Sequence, residues 1–409
     1  MAATLTTDPD YQAFCEERLQ NPYPLLQRLR EEDPVHWCEP MNLWLVTRYD
    51  DVFAGLRDPR LSSNRMKMYT QALENQQRQQ VQPLLDHLSH WIILLDAPDH
   101  TRLRRLINQA FSPQMLKALR PRIEKQAAER LAHAAQGGKM DFHRDYCYPF
   151  PADVICEMMG IPSAHRNSYL EWSEGVMNFS TRGGPRLRGY AESANQALAN
   201  LRIMFDELTA ERRRVPQNDL LSALVAAEDQ GDRLTHDELL ALCVFLFIAG
   251  HETTTNVIAN GMIGFFDNPE QFEKLKADID GKVDGAVEEM LRYDNSVTRG
   301  VRQAKENITI RDTAIAAGDT VVLVLLSANR DPEQFPDPDR FDIERAPNKH
   351  VSFGWGPHFC IGGPLARIEM EITLREIVKQ VPNIRRAGDR LHRRETMGVR
   401  ALTELPVYC

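Results

Sequence analysis

Residues 234–271, LTHDELLALCVFLFIAGHETTTNVIANGMIGFFDNPEQ, set the first constraint on what this chain can fold into. Thr235 with Glu238 three positions later reads as a capping box, and Asp267-Asn268-Pro269 reads as a stop, so one uninterrupted helix is predicted between them. About thirty residues make a helix of roughly 45 Å, long enough to cross a whole molecule. Its longest apolar run, Leu239 to Gly250, is too short to span a bilayer, so the helix needs a protein body around it. Through the apolar centre, Ala249, Glu252, Thr253, Asn256 and Asn260 recur at helical spacing and form a small, polar stripe where packing alone favours Leu or Val. Such a stripe either faces solvent or serves a site.

The rest of the 409 residues supplies that body. With 43% hydrophobic and 26% charged residues, no internal repeat and no Gly/Ser or Pro-rich linker, the expectation is one globular domain over 1–409. Signals are mainly helical from about residue 99 to residue 285. Short β-like runs lie early, in VHWCEP and LWLVTRY, and again in ITIRD and TVVLVLLSA, the last two joined across Ala317-Gly318-Asp319 like a hairpin. A net charge of −9 argues against nucleic acid as a partner. The N-terminal stretch lacks a signal-peptide pattern, so a cytoplasmic protein with no membrane association is expected. Seven scattered cysteines, none in a C-x-x-C pair, suggest neither a disulfide framework nor a zinc site, and most should be buried, inert thiols.

Cys360 stands apart, in VSFGWGPHFCIGGPLAR, Val351 to Arg367. Gly354 and Gly356 permit positive φ, Pro357 stiffens the turn, and Gly362-Gly363 allow close packing of a last helix predicted from Ile361 to Gln380. At a helix N-terminus the backbone N–H groups favour thiolate over thiol, as a metal ligand requires. A buried structural thiol, or a nucleophile served by His358, is the alternative. A single axial thiolate is haem-iron chemistry.

Phe353-Gly354-x-Gly356-x-His358-x-Cys360-x-Gly362, continuing to Leu365-Ala366-Arg367, resembles the haem-ligand signature of the cytochrome P450 family in its soluble bacterial form. Ala249-Gly250-His251-Glu252-Thr253-Thr254 resembles the family's oxygen-binding helix motif, in which small residues leave a groove for dioxygen and an acid–alcohol pair manages protons. His251 is a common family choice there. The resemblance runs from NPYPLLQRLREEDPVHW to RALTELPV, departing at Asn295-Ser296-Val297, where many relatives carry a proline.

The resemblance implies a mainly α fold with a smaller β-rich region and a long central helix over the haem. It implies haem b (iron protoporphyrin IX) with Cys360 as iron ligand, and His100, Arg104, Arg302 and His358 about its propionates. Glu289, Arg292 and Arg340 then form a structural network beneath the ligand loop. The implied reaction is a monooxygenase's, in which one atom of O2 enters an apolar small organic substrate by hydroxylation or epoxidation, with Glu252 and Thr253 delivering protons. Trp91, Phe245, Ala249, Val297 and Met397 are candidate pocket walls, and residues 62–94 a candidate lid. Electrons are expected from a separate ferredoxin and ferredoxin reductase, docking near Arg102, Arg105 and Lys349 on a monomer. The alternatives are a peroxygenase or isomerase on the same haem fold, or a non-catalytic haem ligand-binding protein.

Overall fold

The structure, a computed structural model, describes residues 20–162, 166–181, 184–229, 234–394, 396 and 398–409. The chain divides into two compact units, one drawn from Met1–Ser62, Ala127–Pro149 and Thr253–Cys409, the other from Ser63–Gln126 and Phe150–Glu252. No linker marks these boundaries, three of which fall inside helices, Pro113–Ala134, Pro149–Met159 and His236–Asp267.

The first unit holds the strands. In chain order the strands are β1 (Val35–Cys38), β2 (Leu43–Val46), β3 (Leu61–Ser62), β4 (Lys139–Asp141), β5 (Gly300–Ala304), β6 (Ile308–Ile310), β7 (Thr313–Ile315), β8 (Thr320–Leu323), β9 (Arg385–Arg386) and β10 (Pro406–Tyr408). Five form one sheet in the order β1-β2-β8-β5-β3, with β2 and β8 parallel and the other pairs antiparallel. Val46, Val321 and Leu323 from this sheet pack with Val52, Phe335 and Val351 in a fully buried cluster. The expected hairpin across Ala317-Gly318-Asp319 is not formed. ITI pairs instead with TAI, as β6 with β7, and TVVL becomes a central strand between β2 and β5. An all-apolar run suits a strand with neighbours on both sides better than the arm of an exposed hairpin.

The second unit is helical among its described residues. Helix Arg166–Ser180 lies on helix Ala191–Arg214 so closely that a Cβ on Gly175 would come within 2.8 Å of the Ala197 Cβ. Residues 62–94, read as a lid, fold into three short helices, Met66–Ala72, Asn75–Gln80 and Gln82–Ser89. Tyr69 donates its hydroxyl to the Ser180 carbonyl (3.1 Å) and stacks on Phe179, while Arg202 joins His87 of the third helix (3.0 Å) to Asp237 (2.7 Å).

The long helix is as the capping box predicts. It runs His236–Asp267, its Glu238 N–H donates to Thr235 Oγ1 (3.2 Å), and the Glu238 carboxylate accepts the Thr235 N–H (2.8 Å). It is the one described helix long and apolar enough to cross a membrane, and burial of 72% of its most apolar window marks it as a core helix.

Candidate active site

The loop that presents Cys360 is fixed from both ends. Asn329 accepts the Val351 N–H at Oδ1 (2.8 Å) and donates to Ser352 Oγ (2.8 Å), and Ser352 Oγ donates onward to the Leu291 carbonyl (2.7 Å). Gly354 and Gly356 take φ of 69° and 72°, the left-handed region that disfavours a side chain. A Cβ on Gly356 would also meet the Leu56 carbonyl at 3.2 Å. The chain then turns back so that the Cys360 N–H donates to the Phe353 carbonyl (2.9 Å). The following helix is Gly363–Gln380, with Gly362 as its N-cap, so it starts two residues later than expected. Gly362, with φ of −77°, is the half-helical residue, and Cys360 belongs to the loop before it.

Among the described cysteines Cys360 alone is exposed, whereas Cys38, Cys147, Cys156 and Cys243 are buried, as expected, and Cys409 is intermediate. Burial pushes the Cys156 thiol up to about 12 and raises the Cys147 and Cys243 thiols as well. Burial thus holds those three thiols protonated and out of reach of a metal, whereas Cys360 is open to one. Arg302 on β5 is buried and donates to the Val301 carbonyl (3.0 Å), and His358 is half-buried in the ligand loop, both in the unit that carries Cys360. His100 is buried and Arg104 half-buried, one turn apart on helix Asp99–Ala110 of the other unit. Within the first unit, a thiol and the nitrogen-bearing side chains of Arg302 and His358 are donors that suit a metal group with acidic substituents.

Beneath the loop, Glu289 and Arg292 are completely buried. Arg292 grips the carboxylate at both oxygens (Nη2 to Oε1 2.7 Å, Nε to Oε2 2.8 Å) and gives its remaining donors to the carbonyls of Asn329, Pro338 and Arg340. Burial lowers the Arg292 guanidinium from its ordinary value, and Glu289 opposes that shift. The third cation is Arg345, not Arg340. Arg345 Nε donates to Glu289 Oε1 (3.3 Å), whereas the Arg340 side chain is 59% exposed near Asp342 and supplies only its carbonyl. The turn at Asp337, φ 48°, sets this register in the Pro/Asp-rich segment, and sequence spacing does not reveal it.

Sequence reasoning also missed Glu288. Its carboxylate accepts Arg367 Nε (2.6 Å) and Nη2 (3.0 Å) and pairs with His350 Nε2 (3.0 Å). Burial pushes this acid up, but the bonds from Arg367 and His350 outweigh it and bring it down to about 2. The doubled acid Glu288-Glu289 and the arginine closing the ligand motif were the available signals.

The polar stripe does not face solvent. Glu252, Asn256 and Asn260 are buried, and Ala249 and Thr253 are half-buried. Asn260 donates to the Arg400 carbonyl (2.9 Å) and accepts from Arg393 (3.0 Å). Gly250 is small by necessity, since a Cβ there would meet Ile155 Cδ1 at 2.7 Å. His251 is structural: Nδ1–H donates to the Phe247 carbonyl (2.7 Å) and Nε2 accepts from Ser173 Oγ (3.0 Å).

Of the candidate pocket residues, Trp91 packs on Phe245 with ring centroids 5.3 Å apart. Phe245, Ala249 and Thr253 follow one another at one-turn intervals on the long helix. Val297 is half-buried against the sheet cluster and pairs with Val399; Met397 lies outside the described residues. Arg102 is not available for docking as expected, because Glu238 holds it through both terminal nitrogens (3.2 and 2.5 Å) with Asp99 nearby. The capping acid of the long helix thus has a second task that its local pattern does not show. Arg105 and Lys349 are exposed.

The sequence pattern described as Cytochrome P450 matches residues 184–381. The vitamin D(3) 25-hydroxylase of Pseudonocardia autotrophica is 37% identical, over 100% of this chain and 98% of its own length. The polyketide biosynthesis cytochrome P450 PksS of Bacillus subtilis is also 37% identical, over 95% of each. The crystal structure of P450BioI in complex with an acyl carrier protein ligated to hexadec-9Z-enoic acid superposes with a TM-score of 0.87 at 33% identity, covering 96% of this chain and 100% of that one.

The chain belongs to the cytochrome P450 family. Like other cytochromes P450 it is a haem-thiolate monooxygenase, an oxidoreductase that binds haem b through a cysteine thiolate and uses O2, an organic substrate and redox partners. The mainly helical P450 fold with its smaller sheet region is the one the sequence implied.

Proposed function

We propose that this P450 hydroxylates or epoxidises a bulky apolar substrate of the kind its relatives' names carry, a secosteroid or a polyketide, with Cys360 as the proximal haem ligand. The observation that carries the reading is that Cys360 is the exposed thiol in a loop pinned from both ends. Bound haem supplies the iron centre at which dioxygen is reduced and one of its atoms is passed to the substrate. The chain's own residues hold, exclude and deliver. As the family resemblance implies, His100, Arg104, Arg302 and His358 would hold the propionates, and Trp91, Phe245, Ala249 and Val297 would keep water from the reacting bond. Glu289, Arg292 and, through its carbonyl, Arg340 brace the loop. All 409 residues act as one haem domain in a cytoplasmic monomer.

Glu252, buried, and Thr253, half-buried, are consecutive on the long helix, and in this reading the carboxyl would supply protons that the hydroxyl and an ordered water relay. Glu252→Gln and Thr253→Ala should each lower O2-dependent product formation by about 100-fold and divert electrons to released peroxide. Turnover driven by added hydrogen peroxide should barely change. Undiminished O2-dependent turnover in both variants defeats the assignment and favours the peroxygenase reading.

Electrons come from an acidic ferredoxin and its reductase. Arg105 and Lys349 remain docking candidates, and the exposed Trp355 adds an aromatic one. Trp355 is 42% exposed in the ligand loop, between Phe53 (5.1 Å) and Phe359 (6.1 Å), with the Arg57 guanidinium 4.3 Å above Phe53. Trp355→Ala should weaken ferredoxin binding about tenfold or more, read by titrating the holoenzyme at low salt. Unchanged affinity removes this residue from the interface.

A further inference from the structure

Glu288, Arg367 and His350 join the helix Ile279–Tyr293, the helix Gly363–Gln380 and the ligand loop, yet the proposed reaction assigns them nothing. The Arg367 guanidinium sits over Phe353, 4.6 Å from its ring centroid, while its Nε and Nη2 take both oxygens of Glu288. His350 fixes the other side of the carboxylate. Its Nδ1 accepts the Ser352 N–H (3.2 Å), so Nε2 carries the proton that it gives to Glu288. Phe353 in turn accepts the Cys360 N–H on its carbonyl.

The stack packs against Gly363, where an added Cβ would stand in ordinary contact, 3.6 Å from both Arg367 Nη1 and the Phe353 ring. The neighbouring Gly362 has its Cβ direction 3.9 Å from Cys360 Sγ. The Arg367 cation and the Cys360 sulfur thus lie against adjacent glycines, Gly363 and Gly362. The pair is partly exposed, at 37% for Arg367 and 29% for Glu288, so as an ion pair alone it adds little stability. Its two-pronged geometry specifies orientation instead.

We infer that Arg367, aimed by Glu288 and His350, is a positioning residue that sets the charge felt by the Cys360 sulfur and so the reduction potential of the bound haem. The inference rests on Cys360 being the ligand. A cation beside the thiolate favours the state that has gained an electron, and the carboxylate tempers that effect.

Spectroelectrochemical titration of the purified holoenzyme tests this with Arg367→Met, Arg367→Lys and Glu288→Gln, each checked for its carbon monoxide spectrum. Arg367→Met should shift the potential negative, Glu288→Gln should shift it positive, and Arg367→Lys should restore most of the wild-type value. The separation should narrow at high salt, because the pair is partly exposed. Potentials that stay together, or move the same way as the loop loosens, overturn the inference while a retained thiolate band leaves the ligand assignment standing. Loss of that band from the wild type overturns both. Should Arg367→Met fail to hold haem, Glu288→Gln and Arg367→Lys decide between the same outcomes.

Discussion

Cys360→Ala removes the strongly red-shifted Soret band from the dithionite-reduced, carbon monoxide-treated protein and reduces monooxygenase turnover to background. The polypeptide itself should remain folded. Cys360 is exposed, and the bond that closes its loop comes from the backbone N–H to the Phe353 carbonyl, which alanine keeps. Stability of the haem-free chain should therefore change by less than about 0.5 kcal/mol, as at other exposed sites. Cys156→Ala is the control, because that thiol is buried and held protonated far above neutral pH. It should leave the band in place while costing stability through the space it vacates. If Cys360→Ala keeps the red-shifted band, another thiolate holds the iron and the reading of the loop is wrong.

The largest effect on stability belongs to the network under the loop. Arg292→Leu leaves the Glu289 carboxylate with its main counter-charge gone in a site without solvent, and should cost about 3–5 kcal/mol. Arg345→Leu should follow closely, because that side chain bonds Glu289 and also the carbonyls of Pro336, Asp337 and Arg340. Arg340→Ala, at the position the motif indicates, should change stability by no more than about 0.5 kcal/mol, since its contribution to the network is a backbone carbonyl. Thermal midpoints and haem retention of the three holoproteins read the order directly. Equal losses for Arg340→Ala and Arg345→Leu contradict the assignment of the third cation.

What the sequence shows and what it hides separate along physical lines. The long helix was legible because its cap is made by residues three apart and its stop by adjacent ones, so local spacing holds the whole signal. The ligand loop was legible because glycines at positive φ, a proline and a cysteine within ten residues leave few conformations. Arg345 was not, since its register depends on a turn at Asp337 and on carbonyls that carry no residue identity. Glu238 explains Arg102: a capping acid can also pair with a residue 136 positions away, and periodicity says nothing about that. The pairing of β8 between β2 and β5 is likewise a tertiary choice, made from a strand that could have closed a hairpin. No composition shift marks the two compact units, because most of their boundaries run through intact helices.

The bridge between Val297 and Val399 bears on anyone reshaping this enzyme. The turn after Asp294 and the turn before Arg400 exchange backbone bonds, Thr298 N–H to the Gly398 carbonyl (3.1 Å) and Arg400 N–H to the Ser296 carbonyl (2.6 Å). Arg400 closes the same pair again through its side chain on Asp294. A library that randomises one turn with the other held constant samples shapes its partner cannot follow. Epistasis of 0.5–3 kcal/mol is typical of residues so joined, so gains in selectivity should arrive as paired substitutions, and about that much is lost when one member of the pair is reverted alone.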